Sequence, residues 1–277
     1  MSTLSVLMCV YEKDDDEAFS VALDSLIINK DFINDLIIVI NGPISEKKRF
    51  KINYIIKIIN TKKIELKRNF GISKALNFGL KEVNTDWIVR FDSDDICLKD
   101  RFKIIKEKIN QNKDIYDVMG TYIEEFNIKD KTKIIRKVPL DYENIKNNFL
   151  FSNPMNHVSV FFKSSLLDEF NQNNFYPLID GFEDYALWIK LLSCKKKFRN
   201  FPIVTVLVRA NEDMIKRRGG IKYIINEIRF RLFIIKYISI KQIPINIVFA
   251  LLRIIIFASP KYLRKLFYKF KRLYFEN

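Results

Sequence analysis

Trp87-Ile88-Val89-Arg90-Phe91-Asp92-Ser93-Asp94-Asp95 is the stretch on which the reading of this chain turns. Trp87 to Phe91 predicts a strand covered on both faces, because a buried parallel strand reads as a near-continuous apolar run rather than as an alternation. The run leads straight into three carboxylates within four residues. Ligands of open α/β sheets bind beyond the carboxyl ends of the strands. Carboxylates crowded there repel one another unless a cation lies between them. Mg²⁺ and Mn²⁺ take oxygen ligands and complete their shells with phosphate oxygens and water. One reading of Asp92 and Asp94 is therefore a divalent metal beside a nucleotide diphosphate; the other is a polar turn capping a helix that opens near Leu98. A helix–loop–helix calcium loop is not supported, since its Gly and terminal Glu are missing.

Upstream, the apolar runs Leu4 to Val10, Leu36 to Ile40 and Ile55 to Ile59 predict three more buried strands. Asp14 to Asp16 predicts the cap of a helix over Ala18 to Ile28, and Asn41-Gly42-Pro43 marks a turn. Ile72, Ala75, Leu76 and Leu80 have helical spacing within Asn69 to Val83, and Phe102 to Ile109 is again helical. This alternation predicts an α/β domain with a mostly parallel central sheet flanked by helices. Downstream, Tyr116 to Phe126, Ile134 to Val138, Val158 to Phe162 and Ile203 to Val208 predict strands with less regular connections. Glu183-Asp184 opens a predicted helix to Leu192; the pair complements the helix dipole or supplies a general base. Residues 1–215 read as one domain divided near residue 115, and residues 216–277 as a basic helical tail.

The chain has 277 residues, 48 Lys and Arg against 33 Asp and Glu, and a formal net charge of +15. Such a balance points to an anionic partner: a phosphate-bearing small molecule, an anionic membrane face or a nucleic acid. Cys9, Cys97 and Cys194 are widely spaced, which argues against a zinc site or disulfide framework and fits a reducing compartment. Met1 to Val10 reads as a strand and not as a signal peptide, so a cytoplasmic protein is expected. Ile243 to Pro260 is strongly apolar but interrupted by Asn246 and Arg253, and Lys261 to Arg272 mixes basic and aromatic residues. That pattern predicts an interfacial helix with a basic flank; a helix packed on the domain is the alternative. Walker A and G-x-G-x-x-G sequences are absent, which weakens the kinase, ATPase and dehydrogenase readings.

Taken together, these segments resemble the family-2 glycosyltransferases, inverting enzymes of the GT-A fold. The resemblance is carried, in order, by Ser5 to Tyr11, Ile38 to Gly42, Arg68 to Gly79, Asp92-Ser93-Asp94-Asp95 with Asp100-Arg101, and Glu183 to Trp188. Arg209 and Met214 to Gly220 are similar to a subgroup that builds bacterial O-antigen and exopolysaccharide repeat units. The family implies a nucleotide-binding half over 1–115, an acceptor half over 116–215 and a membrane-associated tail. It implies that Val10, Tyr11 and Glu12 cradle the nucleotide. Asn41 stands at a base-contacting position that usually holds Asp, and Lys67, Arg68, Gly71 and Lys74 border the nucleotide. Asp94 is implied as the direct metal ligand, Mn²⁺ or Mg²⁺. Asp92 is implied toward the ribose or the metal, with Ser93 between them and Asp95 toward the sugar. Asp184 matches the catalytic base, with Glu183 beside it. His157 falls near the acceptor or the diphosphate, although a solitary histidine also serves structural ends. Arg209, Arg217 and Arg218 would bind a diphosphate, or else form a solvated basic loop.

The implied reaction moves a hexose from UDP-glucose or UDP-galactose, in a single displacement that inverts configuration, onto a lipid-diphosphate-linked acceptor at the cytoplasmic face of the plasma membrane. No covalent nucleophile is required, which suits a chain without a Ser–His or Cys–His arrangement. Two rivals are a nucleotidyltransferase, which would want a Gly-rich N-terminal signature, and a nucleic-acid-binding protein. Binders of nucleic acid cluster their charge, whereas the lysines here are spread along the chain and the one aromatic–basic cluster follows an apolar segment.

Overall fold

The computed structural model describes residues 2–127, 131–210, 219–260, 262–264 and 266–267. The first half alternates as expected: β1 (Leu4–Val10), α1 (Asp16–Ile27), β2 (Asp35–Asn41), α2 (Glu46–Ile55), β3 (Thr61–Leu66), α3 (Ile72–Leu80) and β4 (Trp87–Arg90). A two-residue strand, β5 (Ile96–Cys97), follows, and then α4 (Arg101–Asn112). The second half contributes β6 (Val118–Asn127), β7 (Thr132–Arg136), α5 (Tyr142–Asn148), β8 (Phe161–Lys163), α6 (Leu166–Glu169), α7 (Glu183–Ser193) and β9 (Phe198–Arg209). Two further helices, α8 (Ile221–Ile234) and α9 (Ile243–Ala258), follow.

Among the described residues, nine strands join one sheet, in the order β3-β2-β1-β4-β8-β6-β9-β5, with β7 paired to β6. The sheet is mixed. β3, β2, β1 and β4 are mutually parallel, β8 is antiparallel to both β4 and β6, and β6 returns to a parallel pairing with β9. The parallel character foreseen from the sequence thus holds for β3-β2-β1-β4 and for the β6–β9 pair.

Alternate residues of the central strands feed two cores, as period-2 geometry requires. Leu7 and Cys9 of β1 and Ile37 and Val39 of β2 join the core beneath α3 and α7. Leu4, Val6, Met8, Leu36, Ile38 and Ile40 join the opposite one, with residues of α1, α2 and α4. Gly79 lets α3 approach the sheet closely, since a Cβ there would stand 2.5 Å from Leu7 Cδ1.

One predicted strand is corrected. Ile55 to Ile59 is the end of α2 and the turn after it, and the third strand is Thr61–Leu66. Ser45 caps α2 by accepting a hydrogen bond from Lys48 N. Ile52, Ile55 and Ile59 are then buried on one side, a helical spacing carried one turn onward. The true strand, Thr-Lys-Lys-Ile-Glu-Leu, lies at the sheet edge, where half-exposed polar residues replace the apolar run.

The last two helices pack on the domain. Phe230 of α8 stacks on Phe182 at 5.0 Å and meets Tyr185 at 4.7 Å. Phe230, Ile234 and Phe257 belong to the α7-side core. Glu227, fully buried, accepts from Arg231 Nε at 2.7 Å and pairs with Arg253 Nε of α9 at 3.3 Å. Arg231 also donates to Asn246 Oδ1 at 3.0 Å. Asn246 and Arg253, which interrupt the apolar run in the sequence, therefore face inward. Among the described residues, Ile240–Ala258 is the one helical stretch long and apolar enough to cross a membrane, at mean hydropathy 1.9.

Candidate active site

The carboxyl ends of β1, β2 and β4 meet at one rim of the sheet. After β1, the backbone N–H of Tyr11 donates to Asp14 Oδ2 at 3.0 Å, and Ser93 Oγ donates to the same oxygen at 2.7 Å. Asp14 thereby ties the Val10–Tyr11–Glu12 loop to the acidic turn. Burial pushes the Asp14 carboxyl up, against the opposing effect of these hydrogen bonds. Lys48, itself buried, donates to Glu12 O at 3.3 Å and pairs with Asp16 at 2.8 Å.

At the end of β2, Asn41 accepts from Phe70 N at 2.9 Å and donates to Asn69 Oδ1 at 3.1 Å. Its amide holds the loop that leads into α3, which contains Arg68 and Gly71. Gly42 packs on that loop with φ +94°, and a Cβ there would meet Asn69 N at 2.8 Å. Arg68 lies over the Phe70 ring at 4.9 Å. Lys74 is exposed on the first turn of α3, on the side where it lines a 260 Å³ pocket with Phe70, Phe78 and Leu178.

The acidic turn follows β4 and is clasped by arginines. Arg90, buried in the strand, pairs with Asp92 and donates to Leu7 O at 3.2 Å. Arg101 Nη2 donates to Arg90 O at 2.7 Å and to Val158 O at 2.8 Å, which fixes the strand end. The turn does not cap a helix at Leu98; it runs into β5, which pairs antiparallel with β9. That pairing brings Arg209, at the end of β9, onto the turn. Its backbone N–H donates to Asp95 Oδ1 at 3.1 Å and its Nε to Asp94 O at 2.9 Å. Burial, then the charges of Asp92 and Asp94, push the Asp95 carboxyl well above the usual carboxylate range.

Among the described residues, no group of three or more His, Cys, Asp and Glu side chains is gathered for a metal. Mg²⁺, however, needs only one or two carboxylates when a phosphate completes its shell. The hard oxygens of Asp92 and Asp94 suit that mode. The like-charge crowding felt by Asp95 is what a bound cation would relieve.

Across the cleft, Glu183 and Asp184 open α7. Asn153 Nδ2 donates to Asp184 Oδ2 at 2.6 Å, and Tyr185 N donates to Asp184 Oδ1 at 2.7 Å. Gly181 N donates to Glu183 Oε2 at 2.8 Å. Burial, reinforced by the neighbouring Asp184 charge, pushes Glu183 up to about 8. His157 shares a 3.0 Å hydrogen bond between its Nε2 and the Tyr176 hydroxyl. Burial and the nearby Arg90 guanidinium hold the imidazole well below its usual pKa, so it is neutral near pH 7. Burial pushes the Tyr176 hydroxyl up, and the charges of Arg90, Asp184, Glu183 and Asp92 also reach it.

The structure thus gathers the candidate residues into two groups whose carboxylates both act on Arg90 and on Tyr176. Asp92, Ser93, Asp94 and Arg209 form one. Glu183, Asp184 and His157 form the other, and buried Arg90 lies between them. Arg217 and Arg218 lie outside the described residues. Asp14, Arg90, Asn153 and Tyr176 escaped the sequence reading as site residues. Only Arg90 carried a signal of its own, as a charge inside an apolar strand.

Acidic residues beyond the end of β4 and a carboxylate pair at the start of α7 are the residue types that a group transferase uses. The glycosyl transferase family 2 model matches residues 5–170, more than half of the chain. The chain belongs to that family and is a glycosyltransferase of the GT-A fold. It is 35% identical over 269 residues, covering 96% of this chain and 94% of the relative, to the UDP-Gal:alpha-D-GlcNAc-diphosphoundecaprenol beta-1,3-galactosyltransferase of Escherichia coli. It is 29% identical over 225 residues to the amylovoran biosynthesis glycosyltransferase AmsE of Erwinia amylovora, covering 81% of this chain and 83% of that one. The crystal structure of S. aureus TarS 1-349 in complex with UDP-GlcNAc shares the fold, with a TM-score of 0.68, 17% identity, and coverage of 92% of this chain and 73% of that one.

Proposed function

We propose that this glycosyltransferase moves galactose from UDP-galactose onto a GlcNAc linked through a diphosphate to a membrane lipid, with inversion at the anomeric carbon. The observation that carries this reading is the opposition of the Asp92–Asp95 turn and the Asn153-anchored Asp184 across Arg90 and Tyr176. The named activity of the E. coli relative, matched over nearly the whole of both chains, supports the donor and the acceptor. UDP-glucose is the second donor to test. The product would enter O-antigen or exopolysaccharide synthesis, as the AmsE likeness supports.

In this reading Val10, Tyr11 and Glu12, the Asn41-held loop with Arg68 and Gly71, and Lys74 receive the nucleotide. Ser93 and Asp14 fix the loop after β1 against the acidic turn. Asp94 and Asp92 would hold Mg²⁺ or Mn²⁺, which would supply Lewis-acid stabilisation to the departing diphosphate. Arg209 lies beside that charge, a cation with planar donors suited to phosphate. Asp184 accepts the proton of the attacking acceptor hydroxyl, and Asn153 orients its carboxylate. The attack comes from the face opposite the leaving diphosphate, so an α-linked donor yields a β-linkage. Glu183 keeps its own proton near neutral pH and leaves Asp184 as the accepting partner. His157, neutral and bonded to Tyr176, offers its ring to the acceptor or to the diphosphate.

The enzyme works at the inner face of the plasma membrane, where its lipid-linked acceptor resides. The decisive experiment incubates the full chain with Mn²⁺, a synthetic GlcNAc-diphosphate-lipid and either UDP-galactose or UDP-glucose, and determines the linkage by NMR. A β-linked galactosyl product is expected. An α-linked product would refute inversion, and transfer from UDP-glucose alone would refute the donor.

A further inference from the structure

We propose that the outward face of α9, with the exposed stripe of α8, is the seat of this enzyme on an anionic lipid bilayer, and that α9 lies in the interface plane while its inward face is locked to α8, which packs on the helix bearing Asp184. This seat presupposes the membrane location proposed above and adds the surface, the orientation and the coupling to the site.

The polarity of α9 is reversed relative to a helix packed on a soluble domain. Its polar residues Asn246 and Arg253 point inward, to Arg231 and to Glu227, while Leu251 is 57% and Ile255 64% exposed. Val248 and Leu252 extend the same apolar face. On α8, Ile221, Ile225, Ile228 and Leu232 are exposed at spacings of four, three and four, one stripe along the helix. Contiguous exposed apolar surface of this kind marks a contact with a membrane or a protein.

Charge selects the membrane. From Gly219 to Asn277 the sequence carries 12 Lys and Arg against two acids, Glu227 and Glu276. Glu227 is fully buried, while Lys222, Arg229, Lys236 and Lys241 are exposed. An apolar face rimmed by cations fits an anionic interface. A second copy of the chain would bring the same cations face to face.

The buried pairs select the orientation. Ile240–Ala258 has the length to span. Spanning would pull Arg253 away from Glu227 and carry Asn246 and Arg253 into hydrocarbon, where unpartnered polar groups are disfavoured. Lying flat keeps every one of these partners. It also makes the seat and the proposed base one rigid body, because Phe230 of α8 packs on Phe182 and Tyr185 around the start of α7. An acceptor anchored in the same bilayer then meets Asp184 at a fixed height.

The test compares the full-length wild type with the L251E/I255E double variant in co-sedimentation with phosphatidylcholine vesicles, with and without phosphatidylglycerol. Wild type should partition onto the anionic vesicles, and the variant should lose about tenfold or more of that partitioning. The variant should keep its thermal midpoint and its Mn²⁺-dependent UDP binding, since both residues are solvent-exposed. Full vesicle binding by the variant would overturn the seat and leave the membrane location standing. Absence of wild-type binding to either vesicle would overturn the membrane location itself. Resistance of the cellular protein to alkaline carbonate extraction would overturn the in-plane orientation. A wild-type dimer in solution that L251E/I255E converts to monomer would overturn the bilayer in favour of a second copy.

Discussion

The two acidic groups of the cleft are built on opposite principles. Asp92 to Asp95 is surrounded by cations: Arg90 pairs with Asp92, and Arg209 clasps the turn through Asp94 O and Asp95. Among the described contacts, Glu183 and Asp184 accept from the Asn153 amide and from backbone N–H groups. Arg90 and Arg209 fix the oxygens of the turn in place, while burial and then the charges of Asp92 and Asp94 push Asp95 well above the usual carboxylate range. At the start of α7, burial and then the neighbouring Asp184 charge push Glu183 up to about 8. One pair suits charge binding and the other suits proton transfer.

Substitutions should break this contrast in a set order. Asp94→Ala should have the largest effect, a loss of transfer on the order of 10³-fold or more, together with loss of Mn²⁺-dependent UDP binding in calorimetry. Wild-type transfer in the presence of a chelator would remove the metal from the scheme. Asp184→Asn should lower kcat by about 10²–10⁴-fold while donor binding is kept, since it removes only the proton acceptor. Weakened UDP binding in that variant would merge the two groups into one.

Glu183→Gln should have the smallest effect and the most specific one. The amide mimics the protonated acid, so turnover near pH 7 should stay close to wild type, and any activity change that wild type shows near pH 8 should vanish from the variant's pH profile. The stability signature has a defined sign. The folded pKa of Glu183 lies above its ordinary value, so its contribution is full below about pH 4.5 and is lost as pH rises toward about 8. The thermal midpoint of wild type should therefore fall relative to Glu183→Gln between pH 5 and 8, by roughly 2–4 °C for each kcal/mol lost. Parallel midpoints across that range would refute the buried, protonated Glu183.

The legibility of the chain follows the same division. β1, β2 and β4 could be read from the sequence because strands covered on both faces must be apolar throughout. β3 could not, since an edge strand tolerates Lys62, Lys63 and Glu65, and the apolar run just before it belongs to a helix end. Asp92, Asp94 and Asp184 were visible as motifs. Asn153, which orients Asp184 from 31 residues away, was not, because a hydrogen bond across the fold leaves no trace in local spacing. Arg209 was visible only as a resemblance. Its physical reason is the pairing of β5 with β9, which no periodicity in a two-residue strand announces. The polarity of α9 misled most: Asn246 and Arg253 read as flaws in an apolar segment, although they are its points of attachment.

That inversion has a practical side. Anyone redesigning this protein from a hydropathy profile would replace Asn246 and Arg253 with leucine and judge the helix improved. Glu227 would then keep one cation where it now has two, and Arg231 would lose the amide that accepts from it. The edited segment would be a better passenger for the insertion machinery and a poorer part of an enzyme. A cautious engineer seeking a more soluble variant would edit the other side, where Leu251 and Ile255 are mostly open to solvent.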